Sequence, residues 1–310
     1  MYRMNPERRT MKRYININTK FRPFVKGIQP KNTDFTISLP DSINNVTSMK
    51  LKMFSAPDVE YTFPVSEDNN SFEVMSNDGK TTTITVIPGK YSTQLNGDGV
   101  VSSTFLLEQI NSQLVPLGIE MVYINEIQRF AFTGNNITNI ELNFDVHNNY
   151  IYNTFGWIMG FHHSYYSKLP KYSSTYPTNQ CKKETGLVGG LINIGNKTYY
   201  MGDTPVILPN TSLYYMLYVD DFLNNVDTTF YEGCFPANNN SKNILAQIAT
   251  RYAKHHNTFY LTDTADSYQR VYSGPVTLSK LHIRLFDDNN NIVEFNNSDY
   301  TFLLELVTTV

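Results

Sequence analysis

The sequence predicts a mainly-β protein, a β-sandwich or barrel with one clear helix, and three observations carry that expectation. The chain of 310 residues holds 22 Tyr and 19 Phe, a content that suits strands and excludes a disordered tail. Its apolar residues recur mostly with a period of two, in short runs separated by Asn, Gly and Pro; Asn alone numbers 35. Only one stretch carries a clear helical period, so strands do not alternate with helices as in a doubly wound enzyme. The length allows one large or two ordinary domains.

The elements follow in order. Phe35, Ile37 and Leu39 alternate up to Pro40-Asp41, which should stop that strand, and Met49, Leu51 and Met53 alternate up to Ala56-Pro57. Residues 72–76 and 81–87 flank Asn77-Asp78-Gly79-Lys80, a hairpin signal because a primed turn needs positive φ. Residues 103–114 form the helix: Leu106, Ile110 and Leu114 share a face, Ser102, Ser103 or Thr104 caps the start, and Pro116 and Gly118 end it. Strands are expected at 121–127, 130–133 and 140–146, followed by an apolar knot at 155–161 (FGWIMGF) with the only tryptophan, Trp157. Residues 164–204 lose any sustained period and mark a long connection. Strand texture returns at 213–219 and 278–286, a polar turn at 287–291 leads into 292–295, and Phe302, Leu304 and Leu306 mark the last strand. Residues 242–252 fit a helix or a strand.

Charge is distributed unevenly. Residues 1–31 carry nine basic side chains against Glu7, a net of +8, while the remainder nets −11. The basic segment interleaves Arg8, Arg9, Lys12, Arg13, Lys20 and Arg22 with Tyr14, Phe21 and Phe24, which a merely solvated tail would not need. It is therefore expected to be an arm that docks on an acidic neighbour, with nucleic acid as the rival partner. Such an arm is mobile in the free monomer, and its removal should leave folding intact.

Signatures of catalysis fail one by one. Gly79-Lys80-Thr81 resembles the end of a phosphate loop, but Val74 stands where its first glycine is needed. Asp287, Asn289 and Asn291 resemble half a calcium loop, but Ile292 and Ser298 replace the turn glycine and the closing acid. His162-His163 and His255-His256 are adjacent pairs, whose side chains diverge, and no metal-binding His or Cys spacing occurs. Cys181 and Cys234 read as ordinary thiols of a reducing compartment, and Asp220, Asp221, Asp263 and Asp266 as solvated loop acids. No catalytic residue, metal or cofactor is expected, nor a small-molecule substrate. No run of 18 apolar residues offers a membrane span.

Several segments together resemble the minor virion proteins of nucleocytoplasmic large DNA viruses. They are YININTKFRPF with TDFTISLPDSINNVTSMKLKMFSAP, then VIPGKYS followed by Gln109-Ile110-Asn111, then FGWIMGF, LYYMLYVDDFLNN and RVYSGPVTLSKLHIRLFDDNNNIVEFNNSDYTFLLEL. Met159 and His162 depart from the Leu and Arg of that family's knot. The resemblance implies a jelly-roll minor capsid or vertex (penton) component of an icosahedral virion. Such a protein lacks enzymatic activity, is assembled in the host cytoplasm, and has other capsid proteins as partners, the major capsid protein and itself included. A fibre-head or glycan-binding β-sandwich is the alternative.

The organisation expected is a basic arm at 1–32, a jelly-roll formed by 33–66 with 205–310, an inserted β-rich module at 70–165 containing the helix, and a connecting excursion at 166–204. Two successive β-sandwich domains split near residue 185 are the alternative.

Overall fold

Alternating aromatic and β-branched residues build antiparallel strands throughout the computed structural model. It describes residues 9–24, 27–28, 30–57, 62–63, 69–76, 79–91, 104–146, 151–166, 190–194, 196–206, 208, 214–223, 243–250, 258–262 and 269–310. In chain order the elements are β1 (Thr10–Asn18), β2 (Asp34–Pro57), β3 (Ser71–Ser76), β4 (Thr81–Thr85), α1 (Thr104–Leu114), β5 (Ile119–Ile124), β6 (Arg129–Gly134) and β7 (Ile140–Asn143). The short helix α2 (Phe155–Ile158) and strands β8 (Tyr165–Tyr166), β9 (Gly190–Ile194), β10 (Lys197–Met201) and β11 (Tyr214–Asp220) follow. Last come β12 (Ile244–Ala249), β13 (Thr258–Thr262), β14 (Gln269–Phe286) and β15 (Thr301–Thr309). The protein is mainly β, consistent with a jelly-roll β-sandwich, and α1 is its one helix longer than a single turn among the described residues. Two compact units emerge, Met1–Glu60 with Ser212–Val310, and Tyr61–Thr211.

The first unit is a seven-stranded antiparallel sheet in the order β1-β15-β2-β14-β11-β12, with β13 pairing β2. Phe35, Phe54, Leu281, Ile283, Phe302 and Leu304 anchor its core. Strand β11 is apolar at successive positions because both its faces are covered: Tyr215, Leu217 and Val219 enter the main core, while Met216 and Tyr218 join Phe286 and Ile244 in a second cluster.

Pro40 does not end a strand, contrary to the expectation from sequence. Strand β2 runs through it, and Pro40 falls between the pairs Ser38↔Lys280 and Ile43↔Leu278, where β2 advances five residues against two on β14. Inside such a bulge the missing N–H costs no ladder hydrogen bond. Within the stretch 242–252, Ile244–Ala249 form strand β12, which pairs with β11. Residues 292–295 make only the isolated bridge Phe286↔Ile292.

The second unit holds two four-stranded sheets, β5-β6-β10-β9 and β4-β3-β7-β8. They share one core with α1, whose Leu106, Ile110 and Leu114 are fully buried as its period requires. The turn at 125–128 stops β5 at Ile124, three residues before the expected end, and β7 stops at Asn143, before Phe144 and Val146. The FGWIMGF knot folds as α2, with Thr154 Oγ1 accepting from the Trp157 N–H as N-cap. Phe155 stacks on Phe72 at 4.8 Å and on Phe63 at 5.1 Å. Gly156 is required here, because a Cβ would lie 2.5 Å from the Phe144 ring.

Candidate protein-interaction surface

The basic segment is part of the first unit's sheet, where an arm docking on a neighbour and mobile in the free monomer was expected. Residues Thr10–Asn18 form β1, pairing with β15 over nine residues without a register shift. The physical reason is apolar burial joined to charge pairing. Ile17 is buried in the core and Ile15 packs against it, so peeling β1 away would expose both.

The ion pairs are specific. Glu305 of β15 is only 3% exposed and sits directly opposite Tyr14 on one side and Lys50 on the other. The Tyr14 hydroxyl donates to Glu305 Oε2 at 3.2 Å, Lys12 Nζ lies 3.3 Å from Oε1, and Lys50 Nζ lies 3.7 Å from it. Burial by itself raises the Glu305 pKa. The hydrogen bonds from Lys12 and Tyr14, with the charges of Lys12 and Lys50, outweigh that and hold it below the ordinary carboxylate value.

A second anchor follows β1. Arg22 Nη1 donates to Asp299 Oδ1 at 2.8 Å and to the Thr19 carbonyl at 2.8 Å, and its Nε donates to the Pro30 carbonyl at 2.7 Å. Thr19 also donates to Asp299. Lys31 pairs with Glu294 at 3.3 Å. Lys12, Arg22 and Lys31 of the basic segment thus find carboxylates within the same chain.

Other residues of the segment remain exposed. Arg9, Arg13 and Lys20 have no carboxylate partner among the described residues, and the side chains of Tyr14, Phe21 and Phe24 are mostly in solvent. Met11 and Ile28 are exposed as well. Arg8 lies outside the described residues. The geometry thus divides the expected arm into an internally paired set (Lys12, Tyr14, Arg22) and an outward-facing set (Arg9, Arg13, Lys20, Phe21, Phe24).

Asp221, Asp203, His162, His163 and Asp287 belong to structural networks. Asp221 is buried, where a solvated loop acid was expected. It accepts from Arg270 Nη1 at 2.9 Å, from the Tyr272 hydroxyl at 2.6 Å and from the Leu223 N–H at 3.0 Å. Burial, then the Asp221 charge, pushes the Tyr272 pKa far up, so this phenol stays protonated as a donor. Asp203 accepts from the His162 N–H at 2.7 Å and from the Tyr166 hydroxyl, with His163 Nε2 at 3.9 Å. His162 stacks on Trp157 at 4.0 Å, and burial lowers its pKa, against the opposing charge of Asp203. Asp287 spends Oδ1 on the N–H groups of Asn289 and Asn291, a side-chain-stabilised turn. No group of three or more His, Cys, Asp or Glu fit to hold a metal ion occurs among the described residues. Cys181, Cys234, His147, His255, His256, Asp263 and Asp266 lie outside them. No helix there is long and apolar enough to cross a membrane.

Sequence reasoning missed the amides of α1. Asn111 donates to the Met121 carbonyl at 2.9 Å and accepts from its N–H at 2.6 Å, closing the outer edge of β5. Gln113 does the same for Thr85 at 2.8 and 3.1 Å on β4, and Gln109 accepts from the Ile87 N–H at 2.8 Å. The available signal was the alternation of amides at 109, 111 and 113 on a helix beside two sheets.

No protein-family model matches the sequence, and no curated protein matches it. Among solved structures, the chain is similar to one from the 3.5 Å cryo-EM structure of the Sputnik virophage. The TM-score is 0.43 and the identity 14%, over 96% of this chain and 98% of that one. It is similar also to the mavirus penton protein, with a TM-score of 0.45 and 11% identity, over 97% and 100%.

Proposed function

We propose that this chain is a structural protein of a large icosahedral DNA virus, a minor capsid or vertex component that acts through protein–protein contacts. The observation that carries the reading is where the virion-like segments lie. RVYSGPVTLSKLHIRLF is β14, and TFLLEL opens β15; both flank β2 in the sheet. VIPGKYS and Gln109-Ile110-Asn111 meet where Gln109 bonds Ile87, and FGWIMGF fills the second core. The resemblance is therefore borne by framework residues, as expected of a shared architecture. In this reading the protein has no catalytic centre and no cofactor, resides in the virion, is assembled in the host cytoplasm, and contacts the major capsid protein and its own copies.

The test is a stripping experiment on purified particles, with the chain followed by quantitative mass spectrometry through washes of rising salt and limited protease. A shell component stays with the major capsid protein until the particle itself comes apart. Release of this chain from intact particles would instead identify a removable head, and its absence from particles would end the reading.

A further inference from the structure

We propose that the open edge of β1 is a docking strip that takes an extended, acidic strand from a neighbouring protein chain as the next strand of the sheet. The inference concerns how a partner is held and stands whether or not that partner is a shell protein.

The first observation is a contrast within the molecule. Unpaired sheet edges attract other strands, and proteins commonly cover them. Here α1 closes the edge of β5 with Asn111 and that of β4 with Gln113, each satisfying a backbone N–H and C=O. Strand β1 ends its sheet with β15 on one side and no strand on the other among the described residues. It has nine unshifted pairs, no proline and no bulge, so its outer edge is a regular template.

The second observation is exposed apolar surface on β1 and in the residues that follow it. Five large apolar side chains, Met11, Tyr14, Phe21, Phe24 and Ile28, are exposed within eighteen residues. The third is charge. Lys12, Arg22 and Lys31 already have carboxylates, whereas Arg9, Arg13 and Lys20 have none among the described residues. A strand added about 4.8 Å away places its side chains beside those of β1, so acids on it reach Arg13, and acids at its two ends approach Arg9 and Lys20, which flank β1. Nucleic acid fits less well, because it makes no use of a row of strand N–H and C=O groups.

The experiment uses the full chain and four fluorescent probes read by anisotropy. They are a short peptide alternating Glu and Val, its Lys counterpart, the Glu peptide N-methylated at alternate amides, and a single-stranded oligothymidine. The Glu peptide is expected to bind at least about tenfold more tightly than each of the others. Its binding should be lost in the Arg9→Glu, Arg13→Glu, Lys20→Glu variant, whose changes are all at exposed positions, and it should slow amide exchange in β1. Three results overturn the proposal: no binding of the Glu peptide at about 1 mM, equal binding of the N-methylated peptide, or tighter binding of oligothymidine. In the first case the cations in and around β1 only guard its edge; in the second, contact is by charge without strand pairing; in the third, the strip is a nucleic-acid site.

Discussion

Tyr14 and Glu305 stand directly opposite each other on neighbouring antiparallel strands, and the phenol donates to the carboxylate across 3.2 Å. This pair, with Lys12 and Lys50 beside it, fastens the basic N-terminal segment to the last strand of the same chain. An arm that looks free in the sequence is thereby an edge strand. Removing residues 1–31 strips Ile17 from the core and uncovers β15, so such a truncation is expected to impair folding as well as assembly.

Glu305→Gln tests the fastening. Lys12 is mostly in water, which limits its share, so the loss is expected to be about 1–2 kcal/mol by urea denaturation. The pH dependence has a definite sign. The folded-state pKa of Glu305 lies below its ordinary 4.5, so its contribution is present above that value and is lost as pH falls through the lowered one. The protection of β1 amides, corrected for the intrinsic exchange rate at each pH, should fall on acidification below about pH 4.5 in the native protein, and the Gln variant should lack that component.

Asp221→Ala leaves the buried Arg270 guanidinium without its carboxylate and the Tyr272 hydroxyl without its acceptor. A loss of about 3–5 kcal/mol is expected by denaturant unfolding. A change below about 1 kcal/mol would mean that the network is not buried as described.

Ile110→Ala removes a fully buried side chain from α1 and should cost about 2–4 kcal/mol. Asn111→Ala should cost about 1–3 kcal/mol, since it strands the Met121 N–H and C=O. The second variant should also raise aggregation on light scattering, because it reopens the edge of β5.

His162 supplies a second test by pH, of the same sign and at higher pH. Its folded-state pKa is lowered, chiefly by burial, with Asp203 opposing and His163 adding. Folding therefore favours the neutral ring, and its contribution falls as pH drops from the ordinary 6.5 toward the lowered value. Thr204, Trp157 and Tyr166 complete its surroundings or those of Asp203. His162→Gln should flatten the dependence of the unfolding midpoint between about pH 7 and pH 5.

What the sequence revealed depended on whether periodicity or partnership defined the feature. The stripe of Leu106, Ile110 and Leu114 announced α1 and its buried face, because a helix face is local information. The alternation of Phe302, Leu304 and Leu306 announced β15 for the same reason. Strand β1 was hidden by its cations: Ile15 and Ile17 alone carry its inward face, and Glu305, which gives Lys12 and Tyr14 their place, lies about 290 residues away. Pro40 misled because its bulge is defined by the partner strand β14. The edge-closing roles of Asn111 and Gln113 are likewise invisible without Met121 and Thr85 beside them.

The most direct test of the central claim, that this is a shell protein held by contacts along its N-terminal edge, is a cryo-EM reconstruction of the intact particle. Density for this chain is expected within the shell, with β1 and residues 19–24 against a neighbouring subunit and a strand of that neighbour along the open edge. Density at a fibre tip, or a β1 edge facing solvent throughout the particle, would contradict that claim.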